Sequence, residues 1–306
     1  MEIRDEHGLA VAMVDTAELA DRPWLSAVAA IDVVRMVEPP EHAWEELAAL
    51  GFIRKPDFVC WRTELGPGEP EYLARLDKKS RYNIRRSRDR AESELRIEVH
   101  DAIDPDTLDA FLALYRERIE EMAYGVPIAC MQRDRLLDGP EKYFAVIATD
   151  GGELAGGCVV KECPEEDTIR IRFSAVTERW RDASLARTLY FEAMRAARDR
   201  GYRYATLGDE PNLYGHLTKA GLFGFKLKMG FECLPSQDFH DESGRDLADL
   251  VLSLRNLHGT CLILGYVPGD GRRLTAHLIT EEPMETAAFV APFLAGVDQR
   301  LPGPPS

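Results

Sequence analysis

The clearest hydrophobic pattern lies in the middle of the chain, from Tyr143 to Phe231. Tyr143 to Thr149 reads as a strand, Asp150-Gly151-Gly152 as a hairpin turn, and Glu153 to Lys161 as the return strand. Gly156 and Gly157 inside that return strand mark a bulge or a close backbone approach. Asp167 to Val176 reads as a third strand. From Arg181 to Arg198 apolar residues recur every three to four positions, which predicts a strongly amphipathic helix ended by Gly201. Tyr202 to Leu207 is then a short strand that opens into Gly208-Asp209-Glu210-Pro211. The polar loop beyond carries Tyr214, His216 and Lys219. An apolar segment closes the stretch, with Leu222, Phe223, Phe225, Leu227 and Met229 around Lys226 and Lys228. Loops at strand ends carry chemistry because a rigid sheet aims them. An apolar segment with an embedded lysine, directly after such a loop, suits an acyl-group site.

The flanks are less regular. Leu9 to Val14 reads as a strand, and Trp24 to Val37 is too apolar for a loop. After Pro39-Pro40, His42 to Leu50 predicts a helix stopped by Gly51. Phe52 to Leu65 alternates as a strand does, and Gly66-Pro67-Gly68 ends this first unit. Leu95 to Val99 is a short strand. Asp104-Pro105-Asp106 starts a helix that runs through Leu108, Phe111, Leu112, Leu114, Tyr115 and Ile119 until Gly125 and Pro127 break it. A second short helix lies around Met131 to Leu137. Beyond Phe231, Asp249 to Arg255, Thr260 to Val267 and Arg273 to Thr280 predict strands, with a turn at Pro268 to Gly271. Thr286 to Val297 predicts a last helix, and the tail LPGPPS is expected to fray. The mixture of strands and helices predicts an α/β chain with a mixed sheet. Three segments follow: residues 1–71, 72–235, and a hairpin-and-helix extension over 236–306.

Composition narrows the functional classes. The 306 residues are 45% hydrophobic and 30% charged, as in globular proteins. No apolar run approaches the roughly 20 residues that span a bilayer, so no membrane insertion is expected. MEIRDEHGLA lacks the basic-then-apolar character of a secretory signal, and a cytoplasmic location is the expectation. The six cysteines are scattered, their spacing fits neither a zinc site nor a redox pair, and reduced thiols are expected. A net charge of −15 argues against a general nucleic-acid binder. Its distribution is uneven, however. From Arg75 to Arg90 there are eight basic and two acidic residues, a local charge of +6. At helical spacing Lys78, Arg81, Arg85 and Arg88 share one side. Such a stripe is either a solvated helix face or an element that meets the phosphates of one defined partner.

The order of elements from 142 to 235 resembles the core of the GNAT acyltransferases. LDKKSRYNIRRSRDR, the helix beginning at Arg181 and GLFGFKLKMGF together resemble the Fem-like, aminoacyl-tRNA-dependent branch of that superfamily, over roughly residues 72–235. HAWEELAALGFIRKPDFVCWRTEL looks like the last helix and strand of a further GNAT unit, which would make the first segment a truncated counterpart.

The resemblance implies an aminoacyltransferase, in which an acceptor amine attacks the ester carbonyl of an aminoacyl-tRNA directly. The family's Phe-Lys pair maps onto Phe225 and Lys226, and the lysine stabilises the oxyanion. A buried ammonium aimed at developing negative charge is most effective where water is excluded. Lys228, by contrast, is placed to snorkel. Asp209 and Glu210 are the candidate bases, with His216 behind them, unless the substrate's ribose hydroxyl moves the proton. Asp209 reads equally well as a turn residue. Tyr214 and Lys219 are candidates for positioning substrate, and Lys78, Lys79, Arg81, Arg85, Arg86 and Arg88 for meeting tRNA phosphates. Neither a metal nor a cofactor is expected. The alternative is a coenzyme-A-dependent N-acyltransferase, with Arg181 and the amides around Ser184 on the pyrophosphate. The chain departs from that loop pattern: Arg181-Asp182-Ala183-Ser184 has serine at the central glycine and an acid inside the loop, which disfavours coenzyme A. A non-catalytic GNAT-like scaffold is the third possibility. There is no long heptad run, so the acceptor is as readily a small amine or a peptide as a cell-wall precursor.

Overall fold

A computed structural model describes residues 1–239 and 244–303. The chain divides into two compact units. One comprises residues 1–60, 209–227 and 232–306, the other residues 61–208 and 228–231.

The second unit holds most of Phe58–Glu64 and Tyr204–Pro211 and the whole of Thr168–Val176, Glu153–Cys163, Tyr143–Asp150 and Arg96–His100, which lie side by side in that order. The hairpin predicted around Gly151-Gly152 is present, with Asp150 opposite Glu153. Strand alternation sends Val159, Phe173 and Ala175 to one face, where Leu108, Phe111, Leu112 and Tyr115 of the helix Pro105–Glu120 cover them. Helix Leu185–Asp199 covers the other face, and Cys158 Sγ reaches its Leu189 carbonyl. Gly157 is a close approach: a Cβ there would stand 2.9 Å from Ile147 Cδ1 and 3.2 Å from Phe111 Cδ2. Thr168–Val176 and Tyr204–Pro211 run parallel but pair only from Tyr204 to Thr206. The second strand then turns at Gly208, where φ is +77°.

The other unit is built on a five-stranded sheet, ordered Glu2–Glu6, Leu9–Met13, Val33–Val37, Asp246–Val251, Ile53–Pro56. Ala12, Val34, Met36, Ala248 and Leu250 face Trp24, Leu47, Leu50 and Phe52 on one side. Val11, Val33, Ile53 and Val251 pack with Cys261, Ile263 and Ile279 on the other. The last three belong to a three-stranded sheet of Thr260–Val267, Asp270–Thr280 and Leu294–Arg300.

Several expectations are corrected. The helix expected over Thr286 to Val297 is a three-residue 3-10 turn, Ala287–Phe289, followed by the strand Leu294–Arg300 parallel to Asp270–Thr280. Pro292 has no N–H for a helix interior, and Gly296 weakens one further. The helix expected from Arg181 starts instead at Leu185, because Ser184 takes a left-handed conformation after the short turn Glu178–Arg181. The strand expected to end at Leu207 continues to Pro211 and carries Asp209 and Glu210 within it. Trp24 to Val37 splits into a 3-10 segment, Pro23–Ala30, and the strand Val33–Val37. The second half of the tail LPGPPS, residues 304–306, lies outside the described residues. Among the described residues no disulfide joins the cysteines, and Cys60, Cys158, Cys233 and Cys261 are buried. No helix there is long and apolar enough to cross a membrane.

Candidate active site

Helix Ala220–Lys228 buries one stripe, and the stripe consists of Phe223 and, three residues on, Lys226. The Lys226 side chain is only 9% exposed. Its Nζ lies 2.5 Å from Glu210 Oε2, and the other carboxylate oxygen, Oε1, accepts from Tyr214 Oη at 2.6 Å. Tyr214 is wholly buried, and its ring meets Phe223 edge-on at 6.1 Å, with Phe289 packed against Phe223 in turn. An isolated ammonium could not occupy so dry a place; a carboxylate held by a phenol makes it tenable. The Cys233 thiol nearby is pushed well up, first by its burial and then by the Glu210 carboxylate. It is therefore a neutral wall of the site and no nucleophile.

The structure thus brings together three of the residues singled out from the sequence: Lys226, Glu210 and Tyr214. Both Glu210 oxygens are engaged, an arrangement suited to orienting the ammonium rather than to collecting a proton. Phe225 is half-buried beside Lys226, and Lys228 is exposed. Asp209, the neighbour of Glu210 in an extended strand, points to the other side, where Ser236 Oγ donates to it at 2.8 Å. Lys219 is exposed. His216 does not stand behind the acidic pair: its Nε2 lies 2.5 Å from the His7 carbonyl, and it lines a separate cavity.

In the other unit, Arg181 pairs with Glu121 at 2.9 Å and Asp182 is exposed beside it. Ser184 adopts φ 60°, ψ 34° at the start of the helix, a place glycine occupies without strain. An occupied arginine, an adjacent acid and a Cβ on the left-handed residue all oppose a pyrophosphate lying against these amides.

The basic stripe forms the helix Lys78–Glu94, capped by Asp77, whose side chain accepts from the Lys79 and Ser80 amides. Its residues separate into two groups, which corrects the single face expected. Arg88 Nη1 is 2.5 Å from Glu69 and its Nη2 is 3.5 Å from Glu192, while Arg81 turns back to the Leu76 carbonyl. Lys78, Lys79, Arg85 and Arg86 remain exposed, without an ion pair among the described residues, beside a Tyr82 ring that is 62% exposed.

One cluster escaped the sequence reading: Arg35, Lys55 and Asp249, all buried. Arg35 holds Asp249 through two bonds, at 2.7 and 2.8 Å, and Lys55 Nζ lies 3.1 Å from the same carboxylate. Burial works against an ionised Asp249, but the guanidinium and the ammonium hold its pKa at about 2. Burial lowers that of Lys55 despite the same pairing. A usable signal did exist. Arg35, Lys55 and Asp249 share strand faces with Val33, Ile53 and Val251, so each is a charge on an inward apolar stripe.

Residues 78–214 match the family model of an acetyltransferase (GNAT) domain. Comparison with curated protein sequences gives no match. Among solved structures, FemX aligns with 78% of this chain and 80% of its own, at 13% identity and a TM-score of 0.48. L-PGS from Bacillus licheniformis aligns over 80% and 79%, at 13% identity and 0.43. A tandem GNAT protein from the clavulanic acid biosynthesis pathway aligns over 80% and 76%, at 12% identity and 0.41. At these scores none of the three bears on the chemistry. The chain is thus a mixed α/β protein of GNAT fold, in which residues 78–214, somewhat under half of it, match an acetyltransferase (GNAT) domain.

Proposed function

We propose that this GNAT-fold transferase forms an amide by direct attack of an acceptor amine on the ester carbonyl of an aminoacyl-tRNA. The observation that supports this most is the buried ammonium of Lys226, fixed by Glu210 and Tyr214 in an apolar surround. Attack forms the C–N bond and places negative charge on the carbonyl oxygen, which Lys226 stabilises. Collapse of the tetrahedral intermediate breaks the bond to the ribose oxygen, and the proton lost by the amine passes to that oxygen through the vicinal ribose hydroxyl. No covalent enzyme intermediate is required, and the buried thiols offer none. Glu210 is a positioning residue in this scheme, because it pairs with the ammonium and directs it. Loss of an oxyanion donor in a dry site costs about 10²–10³ in rate. Lys78, Lys79, Arg85 and Arg86 are proposed to meet the tRNA backbone.

The match to an acetyltransferase domain favours a second reading, coenzyme-A-dependent N-acylation, which the helix start at Ser184 opposes. The deciding experiment supplies the protein with mixed radiolabelled aminoacyl-tRNAs and a panel of small amines and peptides, with and without RNase, beside parallel reactions with acetyl-CoA. RNase-sensitive amide formation that disappears in Lys226→Ala supports the first reading. RNase-insensitive turnover of acetyl-CoA replaces it with the second.

A further inference from the structure

The cavity that His216 lines lies within the unit built on the five-stranded sheet and has a volume of about 250 Å³. Leu9, Phe58, Pro211, Leu213 and Leu217 give it apolar walls. Arg35 and Lys55 form its charged inner end, where both meet Asp249 and Arg35 also pairs with Glu6. Lys55 is 1% exposed, yet it lines the cavity. Its Nζ donates to the Asn212 carbonyl at 3.0 Å and meets Asp249 at 3.1 Å. An ammonium has three N–H groups, so one is left for whatever enters. At the mouth Glu6 pairs with Arg35 at 2.7 Å and Asp57 with Arg245 at 3.3 Å, so neither carboxylate lacks a cation.

We infer that this cavity binds a small monocarboxylate with an apolar body, of the size of an N-acyl amino acid, its carboxylate on Lys55 and its body against Leu213 and Leu217. A carboxylate gives the remaining Lys55 N–H a charged acceptor, and a charge-assisted hydrogen bond is about twice as strong as a neutral one. A phosphate dianion, with twice the charge, would meet stronger repulsion from Glu6, Asp57 and Asp249 than a monocarboxylate does. A ligand without an acceptor would leave the spare Lys55 donor buried and unpaired, and a neutral carbonyl satisfies it less strongly than a carboxylate does. The site involves neither Lys226 nor Glu210, so it stands or falls apart from the transferase reading.

Isothermal titration of the full chain with N-acetyl-L-leucine, N-acetyl-L-leucinamide and inorganic phosphate tests it. The carboxylate is expected to bind one to one, and the amide at least about tenfold more weakly, the effect of losing one charged hydrogen bond. Lys55→Met, which leaves Asp249 on Arg35, should weaken the carboxylate by at least about tenfold. Leu217→Trp, which fills the cavity and leaves the charges alone, should do the same and carries the test if Lys55→Met does not fold. Absence of carboxylate binding at millimolar concentration, equal binding of acid and amide, tighter binding of phosphate, or undiminished affinity in both folded variants would each overturn the assignment.

Discussion

Lys226 shows how much a single residue position reveals before any contact is known. Its place in an apolar segment, together with the resemblance of Phe225-Lys226 to a family Phe-Lys pair, singles it out. Its partner was less visible as a partner, because Glu210 lies 16 residues away and only the course of the intervening loop brings them to 2.5 Å. Breaking such a buried pair from one side leaves an uncompensated charge. Glu210→Gln is therefore expected to lower stability by about 3–5 kcal/mol in urea denaturation. The double variant Glu210→Gln/Lys226→Met should lose clearly less than the two single losses combined, since neither charge then remains stranded. Additive losses would mean that the pair contributes nothing as a pair. Asp249 makes a second residue-scale prediction. Its folded pKa, about 2, lies below the ordinary carboxylate value, so its contribution is complete above about pH 4 and is lost as pH falls toward 2. That contribution is on the order of 2 kcal/mol. Acid unfolding of Asp249→Asn should lack this component, whereas a curve of unchanged shape would show that the pairing does not hold the carboxylate ionised.

Among the elements, the helix Lys78–Glu94 was legible as a basic stripe, but not as two groups of cations. Periodicity gives each side chain an angle around the axis; it does not say that Glu69 and Glu192 wait on one flank for Arg88. The outward group is where nucleic-acid contact is expected. Transfer activity should fall steeply as salt rises from about 50 to 200 mM, and Arg85→Glu/Arg86→Glu should lower activity and flatten that dependence. A flat response in the parent protein would remove tRNA from the scheme. The helix Pro105–Glu120 was foreseen from its apolar spacing, and Gly156-Gly157 as a bulge or close approach. Gly157→Ala would drive a Cβ toward Ile147, Phe111 and the Val146 carbonyl. A loss of about 1–3 kcal/mol is expected in thermal or urea unfolding, and an unchanged midpoint would show that the helix shifts at no cost. The mistaken helix over Thr286 to Val297 failed for a local reason, Pro292. That the replacement is a strand depended on an available edge, Asp270–Thr280, which no local pattern announces.

For the whole molecule, sequence order and spatial order disagree most where Asp246–Val251 enters the five-stranded sheet between Val33–Val37 and Ile53–Pro56. Truncation after Pro235 would remove a central strand, both acceptors on Asp249, and the sheet that covers Val11, Val33 and Ile53. The truncated chain is expected to lose the cooperative unfolding of that unit, seen as rapid proteolysis within residues 1–60; resistance there would show that the first strands fold alone. What the sequence determined by itself is the set of local facts: where most strands and helices form, which faces are apolar, and that a lysine, a basic stripe and a GNAT-like order of elements are present. These depend on neighbours a few residues apart, whose geometry the backbone fixes. Only the tertiary structure decided which charges meet. Arg35 and Asp249 are 214 residues apart and Lys226 and Glu210 16, and each pair is tolerable in the interior only because the fold presents the partner at the right place.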